Sequence, residues 1–270
     1  FIQWKAVLTT SNTETPVVNS VSVAYLPQNI APMINEVTVY EPGVYLREPG
    51  GGAEPNGQDL PPKVAERVRG RSANGRGRQP AMGAPTYRKG MRTVVVNASD
   101  TNNDMLSYAV YFRGENESQW KLLRDDLDRP AYSWDSETLP DGMYTVKIVV
   151  SDAPANPPAL ALNTEIESDP FLIDNSSPQI AKLSAARSNP HLTLTFTVED
   201  AASPIYKVEY AIDGGDWWVI YPDDGVSDST TETFSLTLND LEGGEHTVAI
   251  RAKDTANNTG TGKQVVTVPE

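Results

Sequence analysis

Only two histidines, His191 and His246, stand in 270 residues, and there is no cysteine. That excludes disulfides, thiolate metal sites and a cysteine nucleophile, and it leaves too few imidazoles for a multi-histidine metal site. A Ser-His-Asp triad needs a positioned base. His246 falls in the middle of an alternating segment, which favours a packed structural role. His191 follows Asn189-Pro190 where a strand begins and reads as a solvated turn residue. Glycoside hydrolysis needs two acids facing each other across a cleft. The acids here gather in turns, where Asp and Asn serve the backbone. The chain therefore reads as no enzyme, with no catalytic residue, no cofactor and no assigned metal ligand.

Three binding chemistries remain to be weighed. Asp100-x-Asn102-x-Asp104 alternates oxygen ligands, but as an EF-hand it fails: Met105 stands where Gly is needed and Tyr111 where Glu is needed. Trp217, Trp218 and Tyr221 share a short segment. Alternation puts Trp217 and Val219 on one face and Trp218 and Ile220 on the other, so one Trp is expected in the core, matching Trp120, and the other in partial contact with solvent. An exposed Trp can stack on a sugar ring or pack on a neighbouring domain. Arg67, Arg69, Arg71, Arg76 and Arg78 are interleaved with Gly and Ser and can contact phosphate or sulfate. With no aromatic interleaving except Tyr87, base stacking is not expected. The simpler reading is that this positive charge settles on the acidic body of the same protein.

The charge distribution supports that reading. The formal charge is −14. Between Lys63 and Arg92 there are nine basic residues and one acid, Glu66, a net of +8; the rest carries 13 basic against 35 acidic residues, a net of −22. The acidic bulk is expected to repel nucleic acid and anionic membranes. No apolar run approaches the ~20 residues a membrane-spanning helix needs, so no membrane insertion is expected.

The elements that position these residues come from a repeat with an offset close to 100 residues. Thr93-Val-Val-Val-Asn-Ala-Ser-Asp100 parallels Thr193-Leu-Thr-Phe-Thr-Val-Glu-Asp200, and Leu106 to Arg113 parallels Ile205 to Ile212. Leu139-Pro-Asp-Gly-Met-Tyr-Thr-Val146 parallels Leu241-Glu-Gly-Gly-Glu-His-Thr-Val248, and Ser151-Asp-Ala-Pro-Ala-Asn156 parallels Lys253-Asp-Thr-Ala-Asn-Asn258. Within each unit the hydrophobic period is two, as in Tyr144, Val146, Ile148 and Val150. Strands are predicted near 33–40, 91–98, 106–113, 118–123, 131–135, 143–151 and 166–173. In the second unit they fall near 179–187, 192–199, 205–212, 216–221, 231–238, 245–253 and 262–268. Seven strands per unit predict an all-β chain of two consecutive antiparallel sandwiches of the immunoglobulin and fibronectin type III kind. Leu139-x-x-Gly142-x-Tyr144 has the pattern of a tyrosine corner; the second unit has His246 there, whose ring is expected to bury and donate one hydrogen bond.

The predicted organisation has three parts. Residues 1–27 read as two strands, Ile2–Leu8 and Val17–Tyr25, forming a hairpin remnant of an upstream domain. Residues 28–175 form the first sandwich, interrupted at 41–90 by a Gly/Pro/Arg-rich insertion that is expected to be an exposed loop. Residues 176–270 form the second sandwich.

Trp134-Asp-x-x-x-Leu-Pro-Asp-Gly-x-Tyr144, Ser151-Asp-Ala-Pro-x-Asn156 and Asp174-Asn-Ser-Ser-Pro178 resemble the fibronectin III/Ig-like modules at the C-terminus of large exported bacterial β-propeller proteins. The resemblance covers roughly 90–270. It implies a non-catalytic structural or interaction module, adhesion-type or spacer, of a larger exported protein. Its location would be extracellular, at the cell surface or periplasmic. Its partners would be the upstream domain and a protein or polysaccharide at the cell surface. The alternative is an accessory carbohydrate-binding module serving an upstream enzyme.

One metal arrangement follows from sandwich topology. The loops after the second and sixth strands share one end. In the second unit they begin at Asp200 and Asp254, and that end is expected to face the linker at Asp174-Asn175. Three carboxylates converging there could hold calcium and stiffen the pair, as in cadherin-like arrays. Against this stands the ordinary use of Asp to end strands and cap turns.

Overall fold

The computed structural model describes residues 3–11, 13–14, 16–23, 28–47, 83–188, 191–239 and 241–269. The described residues form strands and one 3₁₀ turn, with no helix long and apolar enough to cross a membrane. The first sandwich pairs a three-stranded sheet, β1 (Met33–Val39), β4 (Met91–Ser99) and β7 (Ala131–Asp135), with a second sheet. That second sheet runs β10 (Phe171–Ile173), β8 (Gly142–Ser151), β5 (Ser107–Gly114) and β6 (Lys121–Leu127), with β9 (Asn163–Glu167) also on β8.

The second sandwich repeats the plan. One sheet is β11 (Gln179–Ser188), β12 (His191–Glu199) and β15 (Thr231–Leu238). The other is β14 (Trp218–Ile220), β13 (Ile205–Ile212), β16 (Gly244–Asp254) and β17 (Thr259–Val268). All pairings are antiparallel, so each sheet can bury one face against the other. This is the all-β sandwich class read from the alternation.

The cores follow the period of two. Val146, Ile148 and Val150 on β8 meet Val94 and Val96 on β4, closed by Trp134. The core tryptophan is thus Trp134, which stacks on Tyr132 and meets Phe171 edge-on. In the second sandwich Phe196 and Phe234 stack with centroids 5.0 Å apart.

Four expectations need correction. No described residue between 3 and 23 is in a strand, so the predicted hairpin remnant at 1–27 is not formed there. Two strands alone bury too little to hold together in water, and Trp4, Val7 and Val17 lie exposed. The insertion at 41–90 is not all loop: β2 (Val44–Leu46) pairs with β3 (Pro85–Tyr87) at its base, and Val44, Tyr45 and Tyr87 are buried. Residues 48–82 of that insertion, Arg67 to Arg78 included, lie outside the described residues. The strand predicted at 166–173 is split into β9 and β10 at Ser168-Asp169-Pro170, because Pro170 has no N–H for the ladder.

Finally, neither Trp217 nor Trp218 is a core residue, being 40% and 62% exposed. β14 is a three-residue strand at a sheet edge, too marginal to fold a large ring inward. Trp217 instead lies under the Arg251 guanidinium, 4.2 Å from ring centroid to Cζ. Trp120 is likewise no core ring, lying under Arg113 at 4.3 Å.

Candidate metal centres and the junction

The loops after β12 and β16 end at the same pole of the second sandwich, where the linker arrives. Asp200 follows β12, Asp254 ends β16, and Asp174 follows β10. One carboxylate oxygen from each lies within 4.8 Å of the others, which brings together the three residues expected at the junction. Asp174 and Asp254 are buried.

Each carboxylate has a different attachment. Asp200 Oδ1 accepts from the N–H groups of Ala202 and Ser203, both at 2.9 Å, and braces its own loop. Its Oδ2 is sealed from solvent and accepts no hydrogen bond. Asp254 Oδ1 accepts from the Asn258 N–H at 2.8 Å and Oδ2 from Asn258 Nδ2 at 2.9 Å. Asp174 Oδ1 accepts from the Ser176 N–H at 3.0 Å, and Oδ2 from the Ser203 hydroxyl. Burial, with Asp174 and Asp200 adding repulsion, pushes the Asp254 carboxyl up to about 6. Burial and the Asp200 charge raise Asp174 in the same direction.

The first sandwich carries a second cluster at its equivalent pole. Asp100 follows β4, Asp104 lies in the same loop, and Asp152 follows β8; their nearest oxygens are also within 4.8 Å of one another. Asp100 Oδ1 accepts from the N–H groups of Asn102 and Asp104 at 2.7 and 3.1 Å, while its Oδ2 is sealed and unpartnered, as at Asp200. Asp152 accepts from the Leu162 N–H at 2.7 Å and from Asn29 Nδ2 at 2.6 Å. The Asn29 Oδ1 is a second sealed oxygen without a donor. Asn156 Nδ2 donates to Asp104 Oδ2 at 2.8 Å. The sequence alone shows Asp100 and Asp104 only as a failed EF-hand. The signal for their partner was present in the repeat, since Asp152 aligns with Asp254.

Consecutive linker residues hold opposite sandwiches. The Asp174 carbonyl accepts from Asn258 Nδ2 at 3.1 Å and its carboxylate reaches Ser203, both in the second sandwich. Asn175 turns back. Its Nδ2 donates to the carbonyls of Ser136 and Leu139 at 3.2 and 3.0 Å, and its N–H donates to Asp141 Oδ1 at 2.7 Å. Two further contacts close the junction. Asn257 Nδ2 donates to the Tyr87 hydroxyl on β3. Gly260 lies so near the linker that an added Cβ would stand 1.7 Å from the Pro178 carbonyl oxygen.

The histidines are structural. The Asp213-Gly214 turn has positive φ at both residues, 51° and 75°, the type I′ geometry that joins β13 to β14. That turn aims Asp213 at His246: Nδ1 lies 2.6 Å from Asp213 Oδ2, and Nε2 lies 2.9 Å from the Glu242 carbonyl. Both ring nitrogens are taken, which leaves none to serve a nucleophile. His191 opens β12 and its Nδ1 lies 2.5 Å from Asn239 Oδ1.

No protein-family model matches the chain, and no curated protein does. Solved structures do. The chicken CNTN1 FN1–FN3 domains align over 71% of this chain and 74% of that one, at 13% identity and a TM-score of 0.34. The CbhA fibronectin(III)-like modules of Clostridium thermocellum align over 66% of this chain and 85% of that one, at 20% identity and a TM-score of 0.33. Dimeric latent PorU from Porphyromonas gingivalis aligns over 67% of this chain but 22% of its own length, at 14% identity and a TM-score of 0.33. In its own topology the chain sets three strands against five in the first sandwich and three against four in the second.

Proposed function

We propose that the chain is a non-catalytic structural and interaction module, adhesion-type or spacer, of a larger exported bacterial protein, working at the cell surface, in the periplasm or outside the cell. The observation that carries this reading is the pair Asp174 and Asn175, adjacent in sequence and bonded into opposite sandwiches. A linker tied down residue by residue suits a spacer that fixes the separation and angle of what it joins. The exposed apolar side chains Trp4, Val7, Leu8 and Val17 support an upstream domain of the same polypeptide as partner, because such surface gains by burial.

The test is backbone ¹⁵N relaxation on the whole chain. A single rotational diffusion tensor for both sandwiches is expected, and Asn175→Ala is expected to split it in two. Independent tumbling of the unaltered sandwiches would sink the spacer reading.

A second reading, an accessory carbohydrate-binding module, is favoured by Trp218 and Tyr221, which are 62% and 71% exposed around β14. It predicts quenching of tryptophan fluorescence by soluble polysaccharides. The first reading predicts none.

A further inference from the structure

The two sandwiches present the same sheet face, and only the first balances its charge. On the outer side of the first, Lys147, Val149 and Ser151 of β8 lie opposite Glu167, Glu165 and Asn163 of β9. On the outer side of the second, Ala249, Arg251 and Lys253 of β16 lie opposite Lys263, Thr261 and Thr259 of β17. The repeat that aligns Asp152 with Asp254 sets Thr261 in the place of Glu165 and Lys263 in the place of Glu167. In the first sandwich those glutamates meet cations: Lys147 Nζ lies 3.1 Å from Glu165 and Arg113 Nη2 lies 3.5 Å from Glu167. In the second the same positions offer a hydroxyl and a further cation.

This happens in an acidic sandwich, with six basic against 14 acidic residues between 176 and 270. Four of the six, Lys207, Arg251, Lys253 and Lys263, stand on this one face, since their neighbours Val208, Ile250, Ala252 and Val266 point into the core. The acid among them, Glu209, is buried and already bonded to Lys207 at 2.6 Å and to Arg251 at 2.7 Å. Lys253 lies directly opposite Lys207 across the ladder, a like-charge pair that costs stability. Among the described residues neither Lys253 nor Lys263 has an ion pair or a side-chain hydrogen bond. Asp213 and Glu245 stand at the opposite end of the sheet from Lys207 and Lys253.

The ring beside these cations differs in the same sense. Trp120 in the first sandwich is held by Arg113 at 4.3 Å and by Lys147 at 5.3 Å. Trp217 is held by Arg251 and stays 40% exposed, with Val219 exposed beside it on the same side. A fixed ring next to unpaired ammonium groups is a composite surface: the cations attract negative charge, and the ring offers an apolar plate.

We propose that the outer face of β13, β16 and β17 binds an acidic polysaccharide, with its carboxylates at Lys253 and Lys263 and a sugar ring against Trp217. Lysines are point charges without the fork that grips phosphate, and they suit single carboxylates spaced along a chain. A dense polyanion such as a nucleic acid would meet only these few cations inside an acidic body. The proposal rests on the carbohydrate-binding reading and gives it a ligand class. The spacer role of the junction does not depend on it.

The experiment is NMR titration of the full chain with polygalacturonate. Three controls accompany it: the methyl-esterified polymer, which keeps the rings without the charge, and polyglutamate and polyuridylate, which keep charge without the sugar acid. Polygalacturonate is expected to shift amide signals of β13, β16 and β17 and to bind less tightly as salt rises. The three controls are expected to bind at least about tenfold more weakly. Thr261→Glu with Lys263→Glu rebuilds the acids of the first sandwich at two exposed positions. It is expected to weaken polygalacturonate binding by at least about tenfold while the melting temperature is kept. Lys253→Gln with Lys263→Gln is expected to act in the same direction without adding charge. No binding of polygalacturonate would overturn the proposal, as would full binding by both double variants. Equal binding of polyglutamate or polyuridylate would reduce the face to a general anion surface and overturn the sugar. Equal binding of the esterified polymer would overturn the acidic ligand and leave the carbohydrate-binding reading standing.

Discussion

Tyr144 and His246 occupy the same place in the two sandwiches, and each reaches the carbonyl oxygen four residues before it. The Tyr144 hydroxyl donates to Pro140 at 2.9 Å, and His246 Nε2 lies 2.9 Å from the Glu242 oxygen. A tyrosine corner has been rebuilt with an imidazole, and the new ring brings a second partner, Asp213. The phenol holds its proton across the whole physiological range; the imidazole does not.

The first prediction is therefore a pH dependence confined to the second sandwich. The Asp213 hydrogen bond, with the Glu242 carbonyl, raises the His246 pKa above its ordinary value. A raised folded-state value stabilises fully below the unfolded value near 6.5. That contribution is lost as pH rises through the folded value. Histidine titration by NMR is expected to put His246 above the ordinary imidazole value near 6.5, and Asp213→Asn to bring it down. An unchanged His246 midpoint in that variant would refute the account.

The acidic junction predicts the opposite of ordinary acid unfolding. Asp254, crowded by Asp174 and Asp200, is pushed up to about 6. Tyr87 and Arg92 stand on the first-sandwich side, and Asp141 adds repulsion at Asp174. Its stabilising contribution is full below the unfolded carboxyl value near 4. It disappears as pH rises through about 6. Carboxyl ¹³C titration is expected to show Asp254 ionising near that value, and an ordinary midpoint near 4 would refute the account.

Gly260 predicts a steric effect. Alanine there would place Cβ 1.7 Å from the Pro178 carbonyl oxygen, so backbone must move. Gly260→Ala is expected to lower the stability of the second sandwich by about 1–3 kcal/mol, as overpacking does. Denaturant melts read it; an unchanged midpoint would mean that the linker yields freely.

Arg251 predicts an optical change. It lies over Trp217 and also donates to Glu209 Oε2 through Nε and Nη2, at 3.1 and 2.7 Å. Arg251→Ala is expected to shift Trp emission to longer wavelength and to destabilise by roughly 1–3 kcal/mol, because buried Glu209 keeps only Lys207. If polysaccharide quenching appears only in this variant, the ring is a sugar platform that the guanidinium covers.

The strands were legible because alternation is a direct image of the pleat: Tyr144, Val146, Ile148 and Val150 alternate in sequence and are all buried. The junction aspartates were legible because topology alone brings the two loops to one pole. What escaped depends on long-range packing. Val44 and Tyr87 lie in three-residue strands too short to show a period. Asn29 reaches Asp152 across 123 positions, a contact no local pattern encodes. One of Trp217 and Trp218 is expected in the core because they alternate, but alternation does not say which strand lies at an edge, and both are exposed.

The β2–β3 hairpin has a consequence for how such a chain can change. Leu46 and Pro85 are directly opposed, so the backbone departs from the first sandwich and rejoins it at one point. Thr93 Oγ1 donates to the Val44 carbonyl at 2.7 Å and the Leu46 N–H donates to Ser133 Oγ at 3.3 Å, which anchors that point from below. Closing a loop costs only about 0.6 kcal/mol more for each doubling of its length. The position is therefore a socket: whatever sequence lies between 47 and 84 can be lengthened, shortened or exchanged for a payload with adjacent ends, while the two sandwiches below remain as they are.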